Sequence, residues 1–288
     1  MTGPVSRRER VIPFTANLCP GGDLALIRPE ACGCREAATG ARVSTLRVNL
    51  FPILHEDDDL LVLHKPAGLV CHPTKGDEYS SLISRVRLHL HATAEPQMVH
   101  RLDRETSGVM IFGKTADSAL ALRQLWEGGL VTKEYLAIVH GRVPAAEGVV
   151  NAPLGKNEAS AVAIADCVRP DGAKARTRWW LVRHFARNGA DYSLLRVRLD
   201  TGRKHQIRIH VRHLGFPLVG DKIYGPDEQL YLAFVERRLT EAQERQLILP
   251  WQALHAGRLW LPWNGREVEF SSPPEPWFAE FAGIPEIA

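Results

Sequence analysis

The chain lacks any run approaching the roughly 18 consecutive apolar residues that a membrane-crossing helix needs, and no apolar stretch follows the basic residues near Met1. A helical membrane anchor and an ordinary secretory leader are therefore not expected, and the cytoplasm is the expected location. Cysteine is scarce: five residues in 288, an odd number in a chain too long to depend on disulfide staples. Cys19, Cys32 and Cys34 stand near one another, but their spacing fits no standard zinc pattern, so a zinc site there is not expected. A large charge excess of one sign is missing too. The 36 Lys and Arg against 33 Asp and Glu leave +3, so total charge does not announce a nucleic-acid partner. Internal repeats, heptads and low-complexity tracts are absent, which excludes solenoids and coiled coils.

What is present is enough apolar material, 45% of the chain, for one large core. Residues 1–47 mix Gly, Pro, Arg and Cys with no sustained period and read as an irregular N-terminal extension with one short strand at its end. Residues 48–288 read as a single functional unit. Within it, Leu60 to His64, Val109 to Phe112 and Tyr135 to Val139 are apolar runs bounded by breakers, the signature of strands. Thr115 is placed to cap a helix carrying Leu120, Leu122, Leu125 and Trp126 and stopped by Gly128-Gly129. Gln229 to Leu249 reads as one further helical region, and Leu254 to Leu261 as a late strand. The predicted class is mixed α+β, a largely antiparallel sheet flanked by helices and loops.

Charge is unevenly distributed. Arginines crowd the stretch from Arg176 to Arg212, where the only acidic residues are Asp191 and Asp200. Leu195, Val197 and Leu199 alternate with Arg196 and Arg198, so one face of a strand enters the core and the other carries guanidinium groups. From His205 to Leu214, Ile207, Val211 and Leu214 recur at helical spacing, which puts Arg208 and Arg212 on a shared neighbouring stripe. A basic helix face following a basic strand is the expectation, with RNA as the partner that such a surface attracts.

The densest polar segment is His100-Arg101-Leu102-Asp103-Arg104-Glu105-Thr106-Ser107-Gly108, directly ahead of an apolar strand. Arg101 and Arg104 beside Asp103 favour its ionised form, a carboxylate able to act as nucleophile or base. On spacing alone an ordinary turn salt bridge is the better explanation of the segment, Tyr135 reads as core packing, and Arg208 as a solvated helix residue.

This nonapeptide resembles the HRLDxxTSG signature of the RluA-type pseudouridine synthases. Lys65-Pro66-Ala67-Gly68-Leu69 with His72-Pro73, Lys133-Glu134-Tyr135-Leu136-Ala137, and Thr201-Gly202-Arg203-Lys204-His205-Gln206-Ile207-Arg208 are similar to further motifs of that family, in the family's order. Gly220-Asp221-Lys222-Ile223-Tyr224-Gly225 and Leu254-His255-Ala256 complete the series. The resemblance implies isomerisation of a uridine in ribosomal or transfer RNA without metal or cofactor. It places the catalytic aspartate at Asp103, a stacking aromatic at Tyr135, a buried arginine partner at Arg208, and at Arg101 a side chain that enters the RNA stack while the target base is flipped out. Lys65 is left with two readings, contact with a phosphate or support of its own loop.

Three positions depart from the family pattern: His64 where Asn is usual, Lys204 where Thr or Ser is usual, and Phe216 where His is usual. Residues 1–47 show no helix pair of the S4 type found ahead of several relatives, so recognition is expected to rest on the catalytic unit, acting as a cytoplasmic monomer. Competing readings are a catalytically inactive RNA-binding protein of the same fold, a hydrolase using Asp103 and Glu105 as paired carboxylates, and a structural ribosome-associated protein.

Overall fold

The computed structural model describes residues 50–73, 80–91 and 95–284, and the readings made for residues 1–47, including the three cysteines there, lie outside them. In chain order the elements are β1 (Ile53–Glu56), β2 (Leu60–Lys65), α1 (Leu82–His89), β3 (Gln97–Met98), β4 (Ser107–Gly113), α2 (Ala116–Glu127), β5 (Thr132–His140) and β6 (Glu147–Asn151). There follow β7 (Leu154–Lys156), β8 (Asp166–Val168), β9 (Arg176–Arg187), β10 (Ala190–Leu199), α3 (Gln206–His213), α4 (Gln229–Val235), α5 (Glu241–Leu247), β11 (Leu254–Trp263), β12 (Arg266–Ser271) and α6 (Pro276–Ala282). No helix among the described residues is long and apolar enough to cross a membrane.

Ten strands form one sheet in the order β1-β2-β4-β11-β5-β10-β9-β6, with β3 on β4 and β12 on β11. Every pairing is antiparallel except β4 with β11, so the mixed α+β class with a largely antiparallel sheet is what the chain adopts. Local chemistry makes the connections. Asn188-Gly189 and Asn264-Gly265 hold positive φ at both residues and close the β9–β10 and β11–β12 hairpins, the turn geometry that matches strand twist. Thr115 and Ser118 cap α2 reciprocally, and Gly128 ends it.

The central strands bury both faces. On one, Leu63, Met110, Phe112, Ala137, Leu195 and Val197 pack with α1 and α3. On the other, α2 covers Val62, Ile111 and Leu259, while α6 lays Phe278 and Phe281 on Ile138, Tyr192 and Leu194. The face of β10 that carries Arg196 and Arg198 is thus open only toward its C-terminal half.

Two expectations need correction. The segment from Gln229 to Leu249 is not one helix. Arg237 takes φ of 56° and Thr240 opens a new capping box with Gln243, so the chain turns between α4 and α5. Nor do Arg208 and Arg212 share a solvent-facing stripe: Arg212 is exposed, but Arg208 is 5% exposed, because α3 is wedged between the sheet and the β7–β8 hairpin and buries every residue from Gln206 to Val211.

The parallel contact of β4 with β11 sets the approach to the site. Gly108 has φ of +119°, and a Cβ there would lie 2.2 Å from the Ala256 carbonyl oxygen. Backbone strain and overpacking each cost about 1–3 kcal/mol. Gly108→Ala is therefore expected to lower the melting temperature by roughly 4–24 °C, at about 2–4 °C per kcal/mol for a chain of this size; an unchanged melting curve would refute the close approach.

Candidate active site

The loop from Arg101 to Thr106 is fixed from beneath by buried polar anchors. The Lys65 ammonium, fully buried, donates to the carbonyls of Pro66, Leu69 and Arg104 at 2.8, 2.9 and 3.0 Å. Burial pushes its amine down to about 8. Of the two readings of Lys65, loop support is the one its contacts show. Both Glu105 carboxylate oxygens accept from Lys222 Nζ at 2.9 and 3.0 Å, and the Gln252 amide donates to Thr106 Oγ1 at 2.6 Å. At the start of β4, Ser107 Oγ meets His255 Nδ1 at 2.9 Å, while the other ring nitrogen donates to the Ser272 carbonyl at 2.9 Å.

On this platform Asp103 faces Arg208 of α3. Arg208 Nη1 donates to Asp103 Oδ2 at 2.8 Å, and its Nε and Nη2 donate to the two oxygens of Asp221 at 2.7 and 2.8 Å. Asp221 Oδ1 also accepts the backbone N–H groups of Ile223 and Tyr224, and the guanidinium lies 4.9 Å from the Tyr224 ring centroid. One guanidinium thus joins a buried carboxylate to a partly exposed one. Burial pushes both carboxyls up, but the Arg208 charge and its hydrogen bonds outweigh it and hold both below the ordinary Asp value. Asp103 stands ionised with one oxygen anchored.

The other oxygen, Oδ1, has His205 Nε2 at 3.8 Å. His205 caps α3 with φ of 56°, a left-handed conformation that, Gly aside, Asn, Asp and His adopt most readily. Its Nδ1 lies 2.8 Å from the Tyr224 hydroxyl, whose oxygen accepts the Asp166 N–H. The phenol proton therefore goes to Nδ1, and the remaining N–H of the neutral ring, Nε2–H, points at Asp103. Burial, the largest influence, pushes the imidazole down to about 4, so it is neutral at pH 7.

Arg101, Asp103, Tyr135 and Arg208, the four residues singled out in the sequence, line one pocket of about 400 Å³ of empty space together with His205 and Gln206. Tyr135 satisfies both of its readings: it sits in the sheet between Ala256 and Val197, 7% exposed, and its ring still forms a pocket wall. Arg101 is exposed and makes no ion pair with Asp103 or Glu105 among the described residues. The departures from the family pattern sit elsewhere. His64 bonds Ser272 Oγ, Lys204 pairs with Asp166 at 2.9 Å, Phe216 packs on Gly141, and none of the three lines the pocket. No group of three or more His, Cys, Asp or Glu able to hold a metal occurs among the described residues.

Residues 59–213 match the family model described as RNA pseudouridylate synthase. An uncharacterized RNA pseudouridine synthase of Chloroflexus aurantiacus is 38% identical over 217 residues, covering 73% of this chain and 61% of that protein. Ribosomal large subunit pseudouridine synthase D of Nitrosomonas europaea is 36% identical, with 77% and 61% covered, so the chain spans about three fifths of each of these relatives. An uncharacterized RNA pseudouridine synthase of Bacillus subtilis is 33% identical, with 77% and 68% covered. Among solved structures, human RNA pseudouridylate synthase domain containing 1 superposes with a TM-score of 0.64 over 85% of this chain and 89% of that one, at 22% identity. Human RNA pseudouridylate synthase domain containing 4 does so with 0.61 over 79% and 90%, at 26% identity. By sequence and by fold, the chain belongs to the RNA pseudouridylate synthase family, in its RluA-type branch.

Proposed function

We propose that residues 48–288 form a catalytic unit that isomerises uridine in RNA to pseudouridine, with Asp103 as the reacting carboxylate. The observation that carries this reading is an ionised Asp103 with one oxygen tied to buried Arg208 and the other open to a pocket walled by Tyr135. In the reaction the bond from C1′ to N1 breaks, the uracil turns, a bond from C1′ to C5 forms, and the C5 proton leaves while N1 gains one. Asp103 either attacks covalently or removes a sugar proton. The Tyr135 ring offers the displaced uracil a stacking surface, a contact worth about 1–3 kcal/mol. Exposed Arg101 enters the stack that the flipped base vacates, its planar guanidinium replacing part of what is lost. The step is redox-neutral and needs no redox cofactor. The substrate is ribosomal or transfer RNA, a choice to which relatives named ribosomal large subunit pseudouridine synthase D lend support on the ribosomal side, and the unit acts as a cytoplasmic monomer.

The hydrolase reading is disfavoured, since both Glu105 oxygens are engaged by Lys222 and are not free to serve a second bond-making role. Incubating the chain with ribosomal and transfer RNA tritiated at uridine C5 is expected to release label at mapped sites and no free uracil. Free uracil would establish hydrolysis instead, and RNA binding without release would leave an inactive binding protein.

A further inference from the structure

The pocket around Asp103 does not end at Tyr135. A groove of about 2000 Å³ of empty space continues from it, sharing Arg101, Tyr135, Leu199 and Arg203, and runs to Lys133, Arg178, Arg198 and Trp180. Its charges are unequal. Arg178 is matched by Asp200 at 3.1 Å and Arg198 by Glu134 at 2.8 Å, but Arg101, Lys133 and Arg203 have no carboxylate partner among the described residues. Lys133 is the most unusual of these. It is partly buried beside Gly202 and burial pushes its amine down, yet its ammonium makes no hydrogen bond or ion pair among the described residues. An ammonium held partly out of water without an anion is an arrangement that a phosphate completes.

Beyond Lys133 the groove passes the strand ends at Thr132 and Leu199 and opens onto the uncovered half of the opposite sheet face, for Tyr135 pairs with Val197 and Glu134 with Arg198. There Arg196 and Arg198 lie 5.2 and 5.7 Å from the Trp180 ring centroid, and Arg198 lies 5.3 Å from that of Trp260. This is a run of indole and guanidinium planes across β9, β10 and β11, with the exposed Val149 and Val182 beside it. Planar groups and cations on one open face suit unpaired bases, which stack on either kind of plane; a duplex presents phosphates, 2′-hydroxyls and base edges but keeps its base faces stacked inside.

We infer that this groove is the track for a single-stranded RNA segment adjoining the target uridine, with Lys133 binding a backbone phosphate next to the pocket and Trp180 stacking a base farther along. The inference rests on the proposed activity, and the test separates the two. A target-bearing oligonucleotide is compared with a version whose flanks are trimmed and a version whose flanks are paired, using the full chain, Trp180→Ala, Trp180→Phe, Lys133→Met and Lys133→Arg. Binding is read by anisotropy across salt concentrations, and kcat and KM by tritium release.

Trp180→Ala is expected to raise KM and Kd for the single-stranded flank roughly 5- to 100-fold at unchanged kcat, to leave the trimmed RNA unaffected, and to be largely rescued by Trp180→Phe. Lys133→Met is expected to flatten the slope of log K against log salt by about 0.7, one single-strand phosphate, with Lys133→Arg restoring it. Equal affinity of wild type and variants for all three RNAs, or tighter binding of the paired flank, overturns the track. A wild type that binds as expected but releases no label from any RNA overturns the activity and leaves the track standing.

Discussion

Asp103→Asn is expected to abolish tritium release from C5-labelled RNA while leaving the RNA bound. Asparagine keeps the side-chain volume and an oxygen that still accepts from Arg208 Nη1, now 2.8 Å from Oδ2. It removes the charge, and with it both the nucleophile and the base. The size of the loss distinguishes the two routes. A group that only moves a proton contributes about 10²–10⁴-fold, whereas loss of a covalent nucleophile costs on the order of 10⁶-fold. The variant should melt near the wild type, because Arg208 retains its bidentate contact with buried Asp221. Single-turnover label release with a melting curve on the same preparation checks both halves. Wild-type release by Asp103→Asn would remove Asp103 from the chemistry.

Much of this molecule is legible locally. The helix after Thr115 is visible because its capping residues lie three apart, and β10 because Leu195, Val197 and Leu199 alternate with Arg196 and Arg198. The Asn-Gly dipeptides at 188 and 264 are equally local signals, and a reading that follows apolar runs alone passes over them. What is not local is the single parallel pairing. Ser107 meets His255 across 148 positions, and nothing in either segment announces that Gly108 must lack a side chain because the Ala256 carbonyl lies above it.

The site divides the same way. Polar density marks Asp103, but Arg208 is 105 residues away, and helical periodicity places it on a surface stripe. Only the motif resemblance gives it a buried role. Asp221, which the sequence offers only as part of a motif, holds Arg208 from behind. Lys222 and Gln252 enter through tertiary packing, and His205 carries no local sequence signal that separates a left-handed helix cap from an ordinary turn. Lys65 is decided by burial and three carbonyl partners, which no local pattern in the sequence announces.

Arg208→Met is expected to cost both stability and activity, with a pH dependence that identifies the cause. In the wild type the folded Asp103 and Asp221 titrate below their ordinary value. Their contribution is present above the unfolded pKa of about 4 and is lost only as pH falls through the lower folded values, so stability is flat in this respect from pH 5 upward. Methionine fills the space but leaves two carboxylates facing each other without a cation, and removing one partner of a buried pair typically costs about 3–5 kcal/mol. Desolvation then governs and the folded carboxyls titrate above the unfolded value, so the folded state binds the extra proton. The variant's deficit must therefore grow as pH rises from about 4 toward neutrality, the opposite of ordinary acid denaturation. Most of the effect should come from Asp221, whose side chain is fully buried, rather than from Asp103, 24% exposed. Arg208→Lys restores a charge but not the planar fork that spans both carboxylates, and should recover stability in part and the rate hardly at all. Urea unfolding at pH 4.5 and pH 7.5, with the pH profile of label release, reads these effects; a variant as stable as the wild type at both pH values would show that Arg208 does not hold the two carboxylates together.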